Sequence, residues 1–172
     1  MLDKKKEIIT ERLVLKSFED SDKNAVIFLM ENELIKKTYM SPNFKDENEK
    51  DSFFLKLKNM SKNNERFLYG IYLNKSLIGI INDCGYNQES IELGYLIAPN
   101  EWNKGYATEA LKAAINELFR LGFKVVECAH FECNPASGKV MQKSGMKRIE
   151  KEEIIDYQNI KHKCIYYAIE NY

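Results

Sequence analysis

One segment of this chain combines the residue types and the spacing of a turn that binds a ligand. It contains a glycine, small residues and a lysine, in the order Trp102, Asn103, Lys104, Gly105, Tyr106, Ala107, Thr108, Glu109 and Ala110. A buried-strand pattern precedes it, and apolar residues at the spacing of one helix face follow it. Unpaired N–H groups and the positive dipole end at a helix start attract phosphate. The pattern predicts a site for a cofactor that carries a pyrophosphate; an ordinary turn without a ligand is the alternative.

The two best-known phosphate loops are absent from the sequence. No G-x-x-x-x-G-K-[ST] segment occurs, so the lysine and the magnesium ligand of an ATPase loop are missing. No G-x-G-x-x-G segment followed by a ribose-binding acid occurs either. A nucleotide-binding protein of either class is therefore disfavoured.

Length and charge restrict the remaining classes of protein. The 172 residues, of which 44% are hydrophobic, are predicted to form a single domain over residues 1–172. Basic and acidic residues number 26 each, so neither a nucleic acid nor an anionic membrane is the expected partner. The sequence shows no apolar core of a signal peptide and no membrane-spanning run, which predicts a cytoplasmic protein.

The four cysteines do not have the spacing of a metal centre. Cys84, Cys128, Cys133 and Cys164 lie mostly within apolar strand-like runs and include no C-x-x-C pair. A zinc site formed by Cys128, His130 and Cys133 is an alternative, but no fourth ligand at a suitable spacing is evident. We therefore predict no metal, and we predict reduced thiols in the core of the protein.

Hydrophobic periodicity and turn residues predict the elements that position the ligand-binding turn. The predicted strands cover residues 10–18, 67–73, 77–81, 91–98, 125–131, 147–155 and 161–169. The predicted helices lie at residues 25–30, near 34, and over 46–61, 106–121 and 135–145. Short polar turns predict an antiparallel meander, whereas the strands that flank the helix after the turn are expected to be parallel. The predicted fold class is α/β or α+β, with a mixed, mostly antiparallel central sheet flanked by helices.

Four segments spread over nearly the whole chain follow the pattern of one enzyme family. Residues 10–16 read T-E-R-L-V-L-K, residues 77–81 read L-I-G-I-I, and residues 102–110 read W-N-K-G-Y-A-T-E-A. Residues 134–137 read N-P-A-S, and K-S-G-M follows shortly after. In this order the segments resemble the GNAT superfamily of acetyl-coenzyme A-dependent N-acetyltransferases. Within it they are most similar to the branch of the ribosomal-protein N-terminal acetyltransferases.

Three positions depart from the family pattern. Trp102 stands where many members have glutamine or arginine, although this branch often carries tryptophan there. Met146 replaces the usual phenylalanine, which changes packing and has little bearing on chemistry. Met141 stands where many members have a tyrosine that protonates the coenzyme thiolate. A thioether cannot donate a proton, so that role is vacant or belongs to another residue.

The resemblance implies an enzyme that moves an acetyl group from acetyl-CoA to a primary amine. The residues implied to contact the coenzyme are Leu96, Ile97, Trp102, Asn103, Lys104, Gly105, Tyr106, Ala107, Thr108, Asn134 and Ser137. Glu92 matches the usual position of the carboxylate base; a solvated acid on a sheet face is the alternative. A backbone N–H near Leu96 or Ile97 would stabilise the oxyanion.

The short helix after residue 134 presents the candidates for contact with the thioester. Asn134 and Ser137 are three residues apart, and Met141 follows four later, so all three fall on one helix face. Ser137 is therefore the candidate for contact with the departing thiolate. Asn134 is expected to cap the helix and to reach the pantetheine amide.

Three classes of acceptor amine fit this chemistry: a protein N-terminus, a polyamine and an amine-bearing antibiotic. The acceptor groove is predicted around residues 34–44 and 157–161. A catalytically inactive protein that binds acetyl-CoA as a sensor or partner subunit is the alternative function. The resemblance also makes a homodimer a candidate assembly.

Overall fold

An eight-stranded sheet forms the centre of the computed structural model, which describes residues 6–171. Its strands are β1 (Ile8–Ile9), β2 (Leu13–Lys16), β3 (Leu68–Leu73), β4 (Ser76–Tyr86), β5 (Ser90–Ile97), β6 (Val125–Phe131), β7 (Lys147–Tyr157) and β8 (Ile160–Glu170). The helices are α1 (Lys23–Glu31), α2 (Glu33–Lys36), α3 (Glu47–Lys62), α4 (Tyr106–Arg120) and α5 (Pro135–Lys143). The strand order is β1-β2-β3-β4-β5-β6-β8-β7. The β5–β6 pair is parallel and the other neighbouring pairs are antiparallel, which confirms the predicted fold class.

The helices cover the two faces of the sheet as separate layers. Helices α1, α2 and α3 pack on one face, where Leu96 of β5 joins their apolar cluster. Helices α4 and α5 pack on the other face, where Ile91 and Leu93 of β5 join theirs. Side chains alternate between the two faces along a strand, so β5 contributes to both layers. This alternation places neighbouring residues of β5 in different chemical surroundings.

Three strands differ clearly from the prediction. β2 covers only Leu13–Lys16 of the strand predicted over residues 10–18, because Thr10 N donates to Leu13 O at 2.9 Å in a turn before it. β1 was not predicted, because two residues are too few to show an alternating pattern; Ile8 pairs with Leu15 of β2. β4 continues five residues beyond its predicted end at Ile81. Polar residues interrupt the hydrophobic pattern there, and one of them, Asp83, is only 1% exposed. Its carboxylate accepts a hydrogen bond from Phe67 N at 2.8 Å, which makes a buried acid compatible with a strand.

The cysteine prediction is only half correct. Cys128 and Cys164 are buried, as expected, and all four thiols are free. Cys84 and Cys133 are exposed. Cys84 is the extra residue where the β4–β5 register shifts, and Cys133 lies in the loop before α5, so neither follows the inward alternation of a regular strand.

Neither a membrane-spanning helix nor a metal-binding cluster occurs in the part of the chain that the structure describes. Within residues 6–171, no helix is both long and apolar enough to cross a bilayer. In the same residues, no three histidine, cysteine, aspartate or glutamate side chains are grouped so that they could hold a metal ion.

Candidate active site

A gap opens in the middle of the sheet, where β5 and β6 separate. The parallel register runs from Ser90 paired with Val125 to Leu93 paired with Cys128. β5 continues beyond this point to Ile97, whereas β6 continues to Phe131 paired only with β8 among the described strands. The second half of β5 is therefore flanked by β4 on one side and by the gap on the other. Such a divergence of strand ends is a favourable place for a ligand.

Two backbone N–H groups of β5 face this gap. Ala98 N donates to Ile78 O in the direction of β4, at 2.7 Å. The preceding carbonyl, Ile97 O, therefore points the other way, and it accepts a hydrogen bond from Trp102 Nε1 at 2.7 Å. Because this direction alternates along a strand, the N–H groups of Tyr95 and Ile97 point into the gap.

The turn after β5 has the backbone of a helix start that is open to an anion. Gly105 precedes α4 with φ 85° and ψ 0°, a left-handed conformation that glycine adopts without strain. The first intrahelical bond runs from Glu109 N to Gly105 O at 3.0 Å. The N–H groups of Tyr106, Ala107 and Thr108 therefore have no acceptor within the helix. Together with the helix dipole they give this helix start the geometry that suits an anion.

A network between the segment before β2 and helix α4 holds this turn in place. Glu109 accepts hydrogen bonds from Thr10 Oγ1 at 2.6 Å, from Arg12 N at 2.8 Å and from Arg12 Nε at 2.7 Å. Arg12 Nη1 also donates to Lys104 O at 3.0 Å, and its guanidinium lies over the Tyr106 ring. Burial raises the pKa of the Glu109 carboxyl, and the hydrogen bonds from Thr10 and Arg12 lower it. The hydrogen bonds together outweigh burial, so the pKa of Glu109 lies below its usual value. The sequence presented these residues as two separate segments; the structure joins them.

Glu92 lies on the α1–α3 face of β5, next to the gap. Burial raises the pKa of its carboxyl; Lys151 acts against this shift, and Glu127 and Glu153 add to it. The two neighbouring carboxylates have their own partners, since Lys151 Nζ lies 2.8 Å from Glu127 and the Tyr166 hydroxyl donates to Glu153 at 2.8 Å. Glu92 makes no hydrogen bond or salt bridge within residues 6–171. A half-buried carboxylate with a raised pKa is suited to accept a proton.

Ser137 lies on the opposite face of β5, in the first turn of α5. Asn134 caps this helix, because its side-chain oxygen accepts from Ser137 N at 3.4 Å. Met141 is fully buried in the core, with 0% of its surface exposed. Tyr95 reaches across from β5, and its hydroxyl oxygen lies 2.8 Å from Ser137 Oγ. Asn134 therefore caps α5, and Ser137 and Met141 lie on it, as expected. Tyr95, which contacts Ser137 from β5, was not identified from the sequence.

The two segments predicted to form the acceptor groove contact each other. Ser41, in the loop after α2, donates its backbone N–H to the Tyr157 hydroxyl at 3.1 Å. Beside this loop lies a cavity of about 170 Å³ between α1, α3, β3 and β4. Its walls include Met30, Met40 and Asn82. The Tyr39 hydroxyl donates to Asn82 at 2.7 Å, and Tyr39 also lies over Gly94 of β5.

A splayed strand pair beside a helix start with unpaired N–H groups is the geometry that suits a phosphorylated cofactor. A family profile described as an acetyltransferase (GNAT) domain matches residues 12–147. The chain belongs to this family, and it is an acetyl-CoA-dependent acyltransferase. The family that the four sequence segments indicated is thereby confirmed.

Individual relatives are described as acetyltransferases. The uncharacterized N-acetyltransferase YnaD of Bacillus subtilis is 33% identical over 147 residues, which is 82% of each chain. The structure of a GNAT-family acetyltransferase from Bacillus anthracis is similar with a TM-score of 0.81 and 27% identity, over 96% of this chain and 98% of that one. RimL, the ribosomal L7/L12 alpha-N-protein acetyltransferase, has the same fold in its complex with coenzyme A, with a TM-score of 0.81, 14% identity and coverage of 96% and 98%.

Proposed function

We propose that this protein acetylates a primary amine by direct attack of the amine on the acetyl-CoA thioester in the gap between β5 and β6. One observation carries the proposal: Glu92 and Ser137 lie on opposite faces of β5 beside this gap. An amine can therefore approach past its proton acceptor on one face while the sulfur departs on the other. In the reaction the C–N bond forms, the C–S bond breaks, and the ammonium proton passes to Glu92.

The residues of the turn and of β5 fit the coenzyme. Its pyrophosphate would be bound by the N–H groups at the start of α4, in the turn formed by Trp102, Asn103, Lys104, Gly105, Tyr106, Ala107 and Thr108. Its pantetheine would follow β5 and meet the side-chain amide of Asn134. The free direction of the Ile97 N–H favours Ile97 over Leu96 as a backbone donor, because the Leu96 N–H points toward β4.

The oxyanion that forms during attack would be stabilised by an N–H group that faces the gap. Tyr95 and Ile97 are the two residues of β5 with this orientation. A backbone donor held by the sheet requires no reorganisation when the charge develops, which is the main source of such stabilisation.

The acceptor side of the gap favours an amine with an apolar group. The cavity bounded by Met30 and Met40 would hold this group, and the amine would extend past Tyr39 toward Glu92. A free α-amino group has a pKa of about 7.7–8.0, and a lysine amine one of about 10.4. Because the α-amine has the lower pKa, a single carboxylate base deprotonates it more readily. We therefore place a protein N-terminus first among the acceptor classes and a small-molecule amine second. The likeness to RimL supports this order.

The test is release of free thiol from acetyl-CoA with a panel of N-terminal peptides, polyamines and aminoglycosides. We expect thiol release with at least one α-amine and a strong loss in Glu92→Gln. An exposed acid, Glu89, pairs with Lys124, so Glu89→Gln is the matched control and should retain activity. Coenzyme binding without thiol release from any amine would replace this proposal with a sensor function.

A further inference from the structure

The Tyr95 hydroxyl connects β5 to the first turn of α5 across the gap. Its oxygen lies 2.8 Å from Ser137 Oγ and 3.0 Å from Ser137 O. We propose that Tyr95 is a positioning residue, which holds the Ser137 hydroxyl so that its proton is directed to the coenzyme sulfur when the thiolate leaves. This inference rests on the proposed function, because it needs the thioester to lie in the gap.

Counting the protons of the pair shows how it can act. The carbonyl Ser137 O can only accept, whereas each of the two hydroxyls has one proton and can both donate and accept. When the phenol donates to the carbonyl, the Ser137 hydroxyl donates to the phenol oxygen. When the phenol donates to Ser137 Oγ, the serine proton is free for a third partner. The heavy atoms keep their places and only the O–H directions change.

A thioester sulfur is a weak hydrogen-bond acceptor, and a thiolate is a strong one. The second arrangement is therefore favoured as the C–S bond breaks. A hydrogen bond from Tyr95 polarises the Ser137 hydroxyl and makes it a stronger donor to the sulfur. Both O–H bonds stay intact, so the coenzyme leaves as a thiolate and takes its proton from solvent.

The surroundings of Tyr95 suit this role. Burial raises the pKa of its phenol; Cys128 adds to this shift, and the hydrogen bond with Ser137 acts against it. The phenol is therefore neutral over the working pH range and has a proton to donate. Met141 is packed in the core on the same helix and has no proton to offer. α5 has no hydroxyl group at Met141, and the Tyr95 hydroxyl reaches the helix from β5 instead.

A purely structural role for Tyr95 is the competing explanation, since the phenol could merely fasten α5 to the sheet. Tyr95→Phe removes the hydroxyl and keeps the ring. The matched control is Tyr86→Phe, because the Tyr86 hydroxyl donates to Glu65 O at 2.8 Å on the opposite side of β4 from the gap. Melting temperatures of both variants report whether a hydroxyl acts through stability alone.

The kinetic test is a double-mutant cycle with Ser137→Ala. We expect Tyr95→Phe to lower kcat about fivefold to tenfold, with little change in the KM for acetyl-CoA. Because Tyr95 acts through Ser137, the double variant should be no slower than Ser137→Ala alone. If the fold loss of kcat in the double variant equals the product of the losses in the two single variants, the residues act independently and the proposal is overturned. A Tyr95→Phe enzyme with wild-type kcat would also overturn it.

A binding measurement tests the same inference without turnover. In the wild type, calorimetric affinity for free coenzyme A should rise as pH increases through the thiol pKa, because Ser137 binds the thiolate. In Tyr95→Phe this rise should be smaller, while Tyr86→Phe should behave as the wild type. An unchanged rise in Tyr95→Phe contradicts the proposal. If no amine supports thiol release, the proposed function fails, and this binding measurement still decides the role of Tyr95.

Discussion

Arg12, just before β2, and Glu109 of α4 form an ion pair although 97 positions separate them in the chain. Arg12 Nε and Nη2 each lie 2.7 Å from Glu109 Oε2, and Arg12 N donates to Oε1. The same guanidinium donates to Lys104 O within the turn before α4. The segment between β1 and β2 therefore holds the turn that we propose to bind the pyrophosphate.

Arg12→Ala should weaken coenzyme binding even though the arginine need not contact the coenzyme. Without it, the Lys104 carbonyl loses a charged donor and the turn has more conformations to lose on binding. We expect calorimetry to show an affinity for coenzyme A about tenfold lower. Arg120→Ala is the matched control, because Arg120 pairs with Glu117 on the same helix, far from the turn. Equal affinities for the two variants would show that Arg12 does not contribute to coenzyme binding.

The ion pair also predicts how stability depends on pH. The pKa of Glu109 is lowered in the folded protein, so its contribution is present above the pKa of the unfolded chain and is lost as pH falls through the lower, folded value. Thermal melts of the wild type should therefore lose stability in this acidic range. Glu109→Gln should be less stable at neutral pH and should show a smaller part of the acid-induced loss. If the melting temperatures of the wild type and of Glu109→Gln fall by the same amount as pH decreases, Glu109 does not contribute to the pH dependence of stability.

Gly105→Glu should abolish coenzyme binding and leave the fold intact. The added carboxylate would repel the pyrophosphate, and the left-handed φ of 85° adds strain for any residue with a Cβ. The matched control is Gly122→Glu, because Gly122 has φ 97° at the other end of α4 and open space around it. Both variants carry the backbone strain, and only the first meets the ligand. A folded Gly105→Glu protein that binds coenzyme A normally would remove this turn from the site.

Glu92→Gln should lower turnover by roughly 10²–10⁴ at neutral pH and change coenzyme affinity little. The pKa of Glu92 is raised by burial, so the acidic limb of the wild-type pH–rate profile should lie above the usual range for glutamate. In Glu92→Gln this limb should disappear, and the rate should rise with pH as the amine deprotonates unaided. A wild-type profile in the variant would show that another group accepts the proton.

Ser137→Ala should lower turnover by about tenfold. Removal of a general acid would lower turnover by more than this. A coenzyme thiolate is a tolerable leaving group, and the serine supplies a hydrogen bond instead of a full proton transfer. Ser144→Ala is the control at the C-terminal end of α5, since the Ser144 hydroxyl donates to Val140 O at 2.9 Å. A loss of a thousandfold in Ser137→Ala, with Ser144→Ala active, would make Ser137 the acid.

Local patterns predicted most of the fold. The meander, the parallel crossover and the order of helices followed from periodicity and turn residues, because these depend on neighbours within a few positions of the chain. β1 and the end of β4 were missed. β1 has only two residues, and the end of β4 contains the buried Asp83, whose carboxylate accepts from Arg66 and Phe67 in the segment just before β3.

The sequence by itself determined the family, the turn around Gly105, and Glu92 and Ser137 as candidates, because each belongs to a short segment with a recognisable pattern. Only the tertiary structure decided that Arg12 and Glu109 act as one unit, and that Tyr95 contacts Ser137 from a strand 42 positions away. It also decided which amides of β5 face the gap, because the pairing with β4 sets their direction and the end of the pairing with β6 at Leu93 sets where the gap begins. These relationships come from the approach of distant segments, and no local pattern records such an approach.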